Sequence, residues 1–156
     1  MWGTLQPDVL AQLTHYTMNG KAPQTGDGKD HTSEAEGWKK CIDSLLKIRL
    51  LENDWDGQGS DAPPPELVDS AIILAVLLRQ KHIEPPSATV QSVQGTVLME
   101  WQWPDQTTLE MDVIEPNLAD VFLMVPGRPA QHWQLGECCG LIPAMESRQS
   151  SLAGHR

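Results

Sequence analysis

Aromatic residues other than tryptophan are almost missing from this chain, which has one tyrosine and one phenylalanine in 156 residues. The large rings are instead six tryptophans, Trp2, Trp38, Trp55, Trp101, Trp103 and Trp133, and these are the candidate anchors for packing or contact. Cations are scarce too. Eleven Lys and Arg stand against 21 Asp and Glu, a formal net charge of −10, which repels phosphate backbones and anionic lipid surfaces at long range. Direct nucleic-acid binding and membrane binding are therefore not expected. Cysteine is limited to Cys41, Cys138 and Cys139. An odd number with two adjacent is a poor disulfide framework, so a reducing, cytoplasmic location is expected. The longest apolar run, Ala71 to Leu78, has eight residues, far below the roughly 20 that a membrane-spanning helix needs. Met1 to Leu10 lacks the basic-then-apolar order of a secretory leader.

What is present divides into three stretches. Residues 1–32 hold few apolar side chains and are expected to form a mobile N-terminal arm, with a short helix near Asp8 to Tyr16. Residues 33–144 are expected to form one α+β domain, a size at which a single core can be buried without staples. Residues 145–156 read as a frayed C-terminal tail. Ser33 followed by Glu36 is a capping-box pair, and Trp38, Cys41, Ile42, Leu45 and Ile48 follow at helical spacing, so a first helix is expected over about Glu34–Leu51. Asn53 to Pro65 is turn chemistry ending in three prolines. Glu66 to about His82 is apolar on most sides and predicts a second, largely covered helix.

Beyond Pro85-Pro86 the apolar period changes from helical to two. Thr89 to Val93 opens a strand. Val97, Met99, Trp101 and Trp103, then Leu109, Met111 and Val113, then Ala119, Val121, Leu123 and Val125 continue the alternation, and Ala130 to Leu135 offers a fifth strand. The fold expected is two helices packed on one face of a four- or five-stranded antiparallel meander. The opposite face then carries Glu100, Glu110, Asp112 and Asp120. Charge is concentrated in this half, with nine carboxylates against the single cation Arg128 between Glu84 and Glu146.

The loop Asp54-Trp55-Asp56-Gly57-Gln58-Gly59-Ser60-Asp61 suggests calcium, because Asp54, Asp56 and Gly59 fall at positions one, three and six of an EF-hand loop. The match ends there: position five is Gln58 and position twelve is Pro65, not a bidentate Glu. The plainer reading has Asp54 and Asp56 accepting backbone hydrogen bonds, Trp55 plugging the end of the core and Asp61 capping the second helix. Trp101 and Trp103 share a strand face and are expected in the core; uncovered, they would mark a contact surface. Cys138 and Cys139 with His132 and His155 suggest zinc, but adjacent cysteines can hardly present both sulfurs to one tetrahedral ion. No G-x-S-x-G elbow, phosphate-binding glycine loop or H-E-x-x-H motif occurs. The expectation is a non-enzymatic protein with no cofactor.

The run Asn53-Asp54-Trp55-Asp56-Gly57-Gln58-Gly59, the proline-led apolar helix and Gly95-Thr96-Val97-Leu98-Met99-Glu100-Trp101 together resemble a group of small uncharacterised bacterial proteins. That group has an N-W-D-G-Y-G-like loop, a helix and a "G-V-x-L-E-W" strand leading into an acidic meander. The likeness covers about Leu45 to Leu135; Asp54 is inserted between Asn and Trp, and Gln58 stands where the group has an aromatic. The resemblance implies a compact cytoplasmic accessory protein from a mobile or defence-type locus. The function expected is protein binding, accessory or antitoxin-like, against a basic partner through Trp55, Asp56, Glu100, Glu110, Asp112 and Asp120. Two further expectations are an inhibitor that mimics nucleic acid on a basic partner, and an enzyme or metal-binding protein built on the Asp54 to Asp61 loop.

Overall fold

The computed structural model describes residues 29–136. Helix α1 spans Lys29–Ile48 and α2 spans Pro65–Gln80. Strands β1 (Ala88–Gln91), β2 (Val97–Gln102), β3 (Thr108–Glu115), β4 (Leu118–Met124) and β5 (Gln131–Gly136) follow. All five pair antiparallel in sequence order, a meander. The two helices lie on one face, α1 against β1 and α2 against β2 and β3, so the expected α+β architecture is the one found. The short helix expected near Asp8 to Tyr16 and the tail from Met145 lie outside the described residues, as do Cys138, Cys139 and His155.

The core follows the two periodicities of the sequence. Trp38, Cys41, Leu45 and Ile48 of α1 recur at intervals of three and four and are buried; on the sheet, Val97, Met99, Trp101, Leu109, Met111, Val113, Ala119, Val121 and Leu123 alternate inward, as one-sided helix and strand burial requires. Trp101 is 1% exposed and Trp103 packs against the core, the reading expected for this pair. Helix α1 begins at Lys29, one turn before the capping-box Ser33; neither proline nor glycine between the two positions stops the backbone earlier. Helix α2 is less covered than its composition suggests. Ile73 and Val76 stand 47% and 42% exposed, because two helices beside each other on one sheet face leave their outer side to solvent.

Three indole N–H groups fasten the segment that leads from helix to sheet. Trp38 donates to the carbonyl of Ile83 (3.1 Å), Trp101 to the carbonyl of Glu84 (2.8 Å) and Trp103 to the Glu84 carboxylate. Ahead of that segment α2 ends in a Schellman turn: Ile83 N–H donates to the Leu78 carbonyl, His82 N–H donates to the Arg79 carbonyl, and His82 takes a left-handed φ of 58°. The flanking Ile83 and Leu78 are both buried, the apolar contact that accompanies this motif.

Candidate functional site on the outer face of the sheet

Even positions of β2, odd-numbered inward residues reversed, give the outward set Leu98, Glu100 and Gln102, which continues on β3 as Glu110 and Asp112 and on β4 as Asp120 and Phe122. The register then brings like charges together. Glu100 pairs directly with Glu110, and Asp112 pairs directly with Asp120. Strand β5 completes the two rows, with His132 opposite Phe122 and Gln134 opposite Asp120. No Lys or Arg occupies an outward position of β2 to β5. All four carboxylate residues are half-buried.

Asp120 is held from β5. His132 Nε2 lies 3.2 Å from its Oδ1 and Gln134 Nε2 donates to the same oxygen at 3.0 Å. The His132 ring is stacked on Phe122, with centroids 4.3 Å apart and planes 8° from parallel, which fixes the imidazole beside the carboxylate. Asp112 has a different environment. Burial pushes its pKa up, the Asp120 charge adds to that, and the Thr96 hydroxyl beside it acts the other way; desolvation and a like charge both disfavour ionisation. Its Oδ1 is buried with no hydrogen-bond partner among the described residues. One acid of the pair is thus supported and the other is strained.

The loop before α2 is a separate unit whose polar groups are turned inward on its own backbone. Asp54 Oδ1 accepts from Gly59 N–H (2.7 Å), and Asp56 accepts from Gln58 N–H (3.0 Å), Ser60 N–H (3.3 Å) and the Ser60 hydroxyl (2.6 Å). The Ser60 hydroxyl is the chief reason that the Asp56 pKa is lowered, with the Gln58 amide next. Gly59 sits at φ 84°, a conformation that suits glycine because it has no Cβ. The expectation of backbone-serving carboxylates matches this geometry. Two parts of it do not. Trp55 is half-buried outside the core cluster, and its N–H closes the loop on the Asp61 carbonyl at 3.2 Å, a bond that keeps the ring on its own loop. Asp61 does not cap α2, whose N-cap is Pro64 with no side-chain bond; Asp61 instead bridges Gln94, because the prolines hold residues 61–64 extended and away from the helix end.

Among the described residues, no group of three or more His, Cys, Asp or Glu side chains is arranged to hold a metal ion. His132, considered with the cysteines for zinc, is placed on Asp120. The structure brings Glu100, Glu110, Asp112 and Asp120 together and leaves Trp55 and Asp56 on the loop at the other side of the Gln94–Thr96 turn. Thr96, Phe122 and Gln134 join the acidic face without having been singled out, and His132 joins it in a role other than the one considered. The strand alternation through Trp133 and Leu135 carried the signal for the last two, since their neighbours must point outward.

An open groove of about 720 Å³ lies between that loop and the β1–β2 turn, lined in part by Leu51, Asn53, Pro63, Leu67, Thr96 and Ile114. Among the described residues no helix is long and apolar enough to cross a membrane. What fold and site define is a two-layer α+β protein whose outer sheet face is acidic and, among the described residues, carries no second layer. No family model, no curated protein and no solved structure matches the chain.

Proposed function

We propose that this protein is a non-catalytic binding module of the cytoplasm, accessory or antitoxin-like, that engages a basic protein partner through the outer face of its sheet. The observation that carries the reading is the pair of directly opposed like charges, Glu100 with Glu110 and Asp112 with Asp120, on a face without an outward cation on β2 to β5. Like charges directly opposite destabilise a sheet. An arginine or lysine from a partner would relieve that repulsion, so the strain of the free protein becomes part of the driving force for association. Electrostatic complementarity of this kind speeds encounter and makes affinity fall with salt. A bacterial defence or mobile locus is the setting that the loop-and-meander resemblance implies.

The test is affinity purification of the tagged protein from its host at low and high salt, beside a Glu110→Lys/Asp112→Lys variant and Trp55→Ala. A stoichiometric partner that is lost on charge reversal and weakened by salt is expected. A partner retained by the charge-reversed protein would overturn the reading. Displacement of that partner by DNA or RNA would make the module a mimic of nucleic acid.

A further inference from the structure

The groove beside the loop is chemically continuous with the acidic face. Apolar side chains of Leu51, Leu67 and Ile114 line it together with the Pro63–Pro65 run. Among the described residues, Glu52 and Asp61 are the only ionisable ones that line it, and both are acids. Thr96 belongs to the groove and also lies beside the Asp112 carboxylate. The walls are stiffened from both sides. Asn53 Oδ1 accepts from Ala62 N–H at 3.0 Å, Asp61 N–H donates to the Val93 carbonyl at 3.2 Å, and the Ser92 hydroxyl is bonded to the amides of Gln94 and Thr96. A concavity whose walls are already tied loses little conformational freedom on binding. Its volume falls in the range of ordinary ligand sites, about 300–1,000 Å³.

We infer that this groove receives a short extended segment of the basic partner, one apolar side chain seated between Leu67 and Ile114 while flanking arginines or lysines reach Asp61 on one side and Asp112 on the other. The inference rests on the acidic-face reading above and adds the point of entry. Charge complementarity selects this occupant: an acidic segment would meet the carboxylates of Glu52 and Asp61 and, beside Thr96, that of Asp112, with no cation among the described lining residues to receive it.

The probe is a fluorescein-labelled peptide of alternating arginine and leucine, with a second in which every arginine is glutamate, followed by anisotropy against the full chain. Binding of the first and not the second is expected, with affinity reduced at least about tenfold, or about 1.4 kcal/mol, by either Ile114→Arg or Thr96→Arg. Leu46→Arg on the exposed side of α1 serves as the control and should bind as the parent does. Thermal melts show which variants remain folded, and two groove substitutions keep the test valid if one of them does not. Binding that falls with Glu110→Gln/Asp120→Asn but survives both groove substitutions would overturn the groove while leaving the acidic face standing. Equal binding of the two peptides would overturn the basic occupant.

Discussion

Asp112 on β3 and Asp120 on β4 are direct cross-strand partners on the outward face of the sheet. Direct neighbours in an antiparallel pair have Cβ atoms about 4.5–5.5 Å apart, so the two carboxylates repel, and only Asp120 has been given His132 and Gln134 to offset this. The asymmetry makes Asp112 the most informative position on the face.

Asp112→Asn is expected to raise the melting temperature at pH 7. The folded-state pKa of Asp112 lies above the ordinary 3.8, so the fold binds more proton than the unfolded chain between those values and stability declines as pH rises through that window. The penalty is complete above the folded pKa and absent below 3.8. The variant and the parent should therefore converge in melts at acid pH and separate at neutral pH, by less than about 1 kcal/mol for a half-buried group. A gap independent of pH would refute the assignment. The same variant should bind a basic partner more weakly, the usual opposition of stability and function at a binding surface.

His82→Gly should stabilise the protein. His82 holds the left-handed C′ position of the Schellman turn, is exposed and lacks any side-chain bond that the turn needs. A left-handed conformation costs a residue with a Cβ about 1 to 2 kcal/mol, part of which glycine gives back through its greater freedom in the unfolded chain. Urea denaturation is expected to show a gain of roughly 0.5 to 1 kcal/mol with an unchanged slope.

Trp101→Phe should cost about 2 to 3 kcal/mol in the same measurement, through lost ring volume and a Glu84 carbonyl deprived of its indole donor. Trp101 is buried and its N–H bond to Glu84 spans 17 residues. Amide exchange at Ile83 and Glu84, in the linker, should also accelerate beyond that of the α2 interior. Exchange that rises uniformly would mean that the indole does not fasten this segment.

Asp56→Ala should loosen the loop without unfolding the domain. Its carboxylate receives the Gln58 and Ser60 amides and the Ser60 hydroxyl, and its pKa is depressed. A depressed carboxyl contributes stability above its unfolded value, and that contribution disappears as pH falls through the folded value, which here lies below 3.8. Faster exchange at Gln58 and Ser60 is expected at neutral pH, with the difference from the parent shrinking in strong acid.

Gly37→Ala should destabilise the junction of α1 with the linker. A Cβ at Gly37 would overlap the Pro85 ring, and a rigid pyrrolidine cannot swing aside as a flexible side chain would. Overpacking of this kind costs about 1 to 3 kcal/mol, against the small gain that alanine brings to a helix interior. A melting temperature at or above that of the parent would show that α1 can shift to make room.

The sequence by itself determined the elements and their faces. Spacings of three and four at Trp38, Cys41, Leu45 and Ile48 and of two from Val97 to Leu123 mark one apolar side per element, and burying those sides together leaves a helix layer on one sheet face as the economical solution. The acidity of the other face was legible for the same reason, since residues between inward positions must point outward. The tertiary structure alone decided which acids are neighbours. Register depends on turn geometry as well as pattern, and it is register that sets Asp112 against Asp120 and brings His132 from a strand twelve residues on. The groove likewise arises only where a proline-held segment meets a distant hairpin turn at Asp61 and Gln94, a contact between chain segments whose separation no local periodicity encodes.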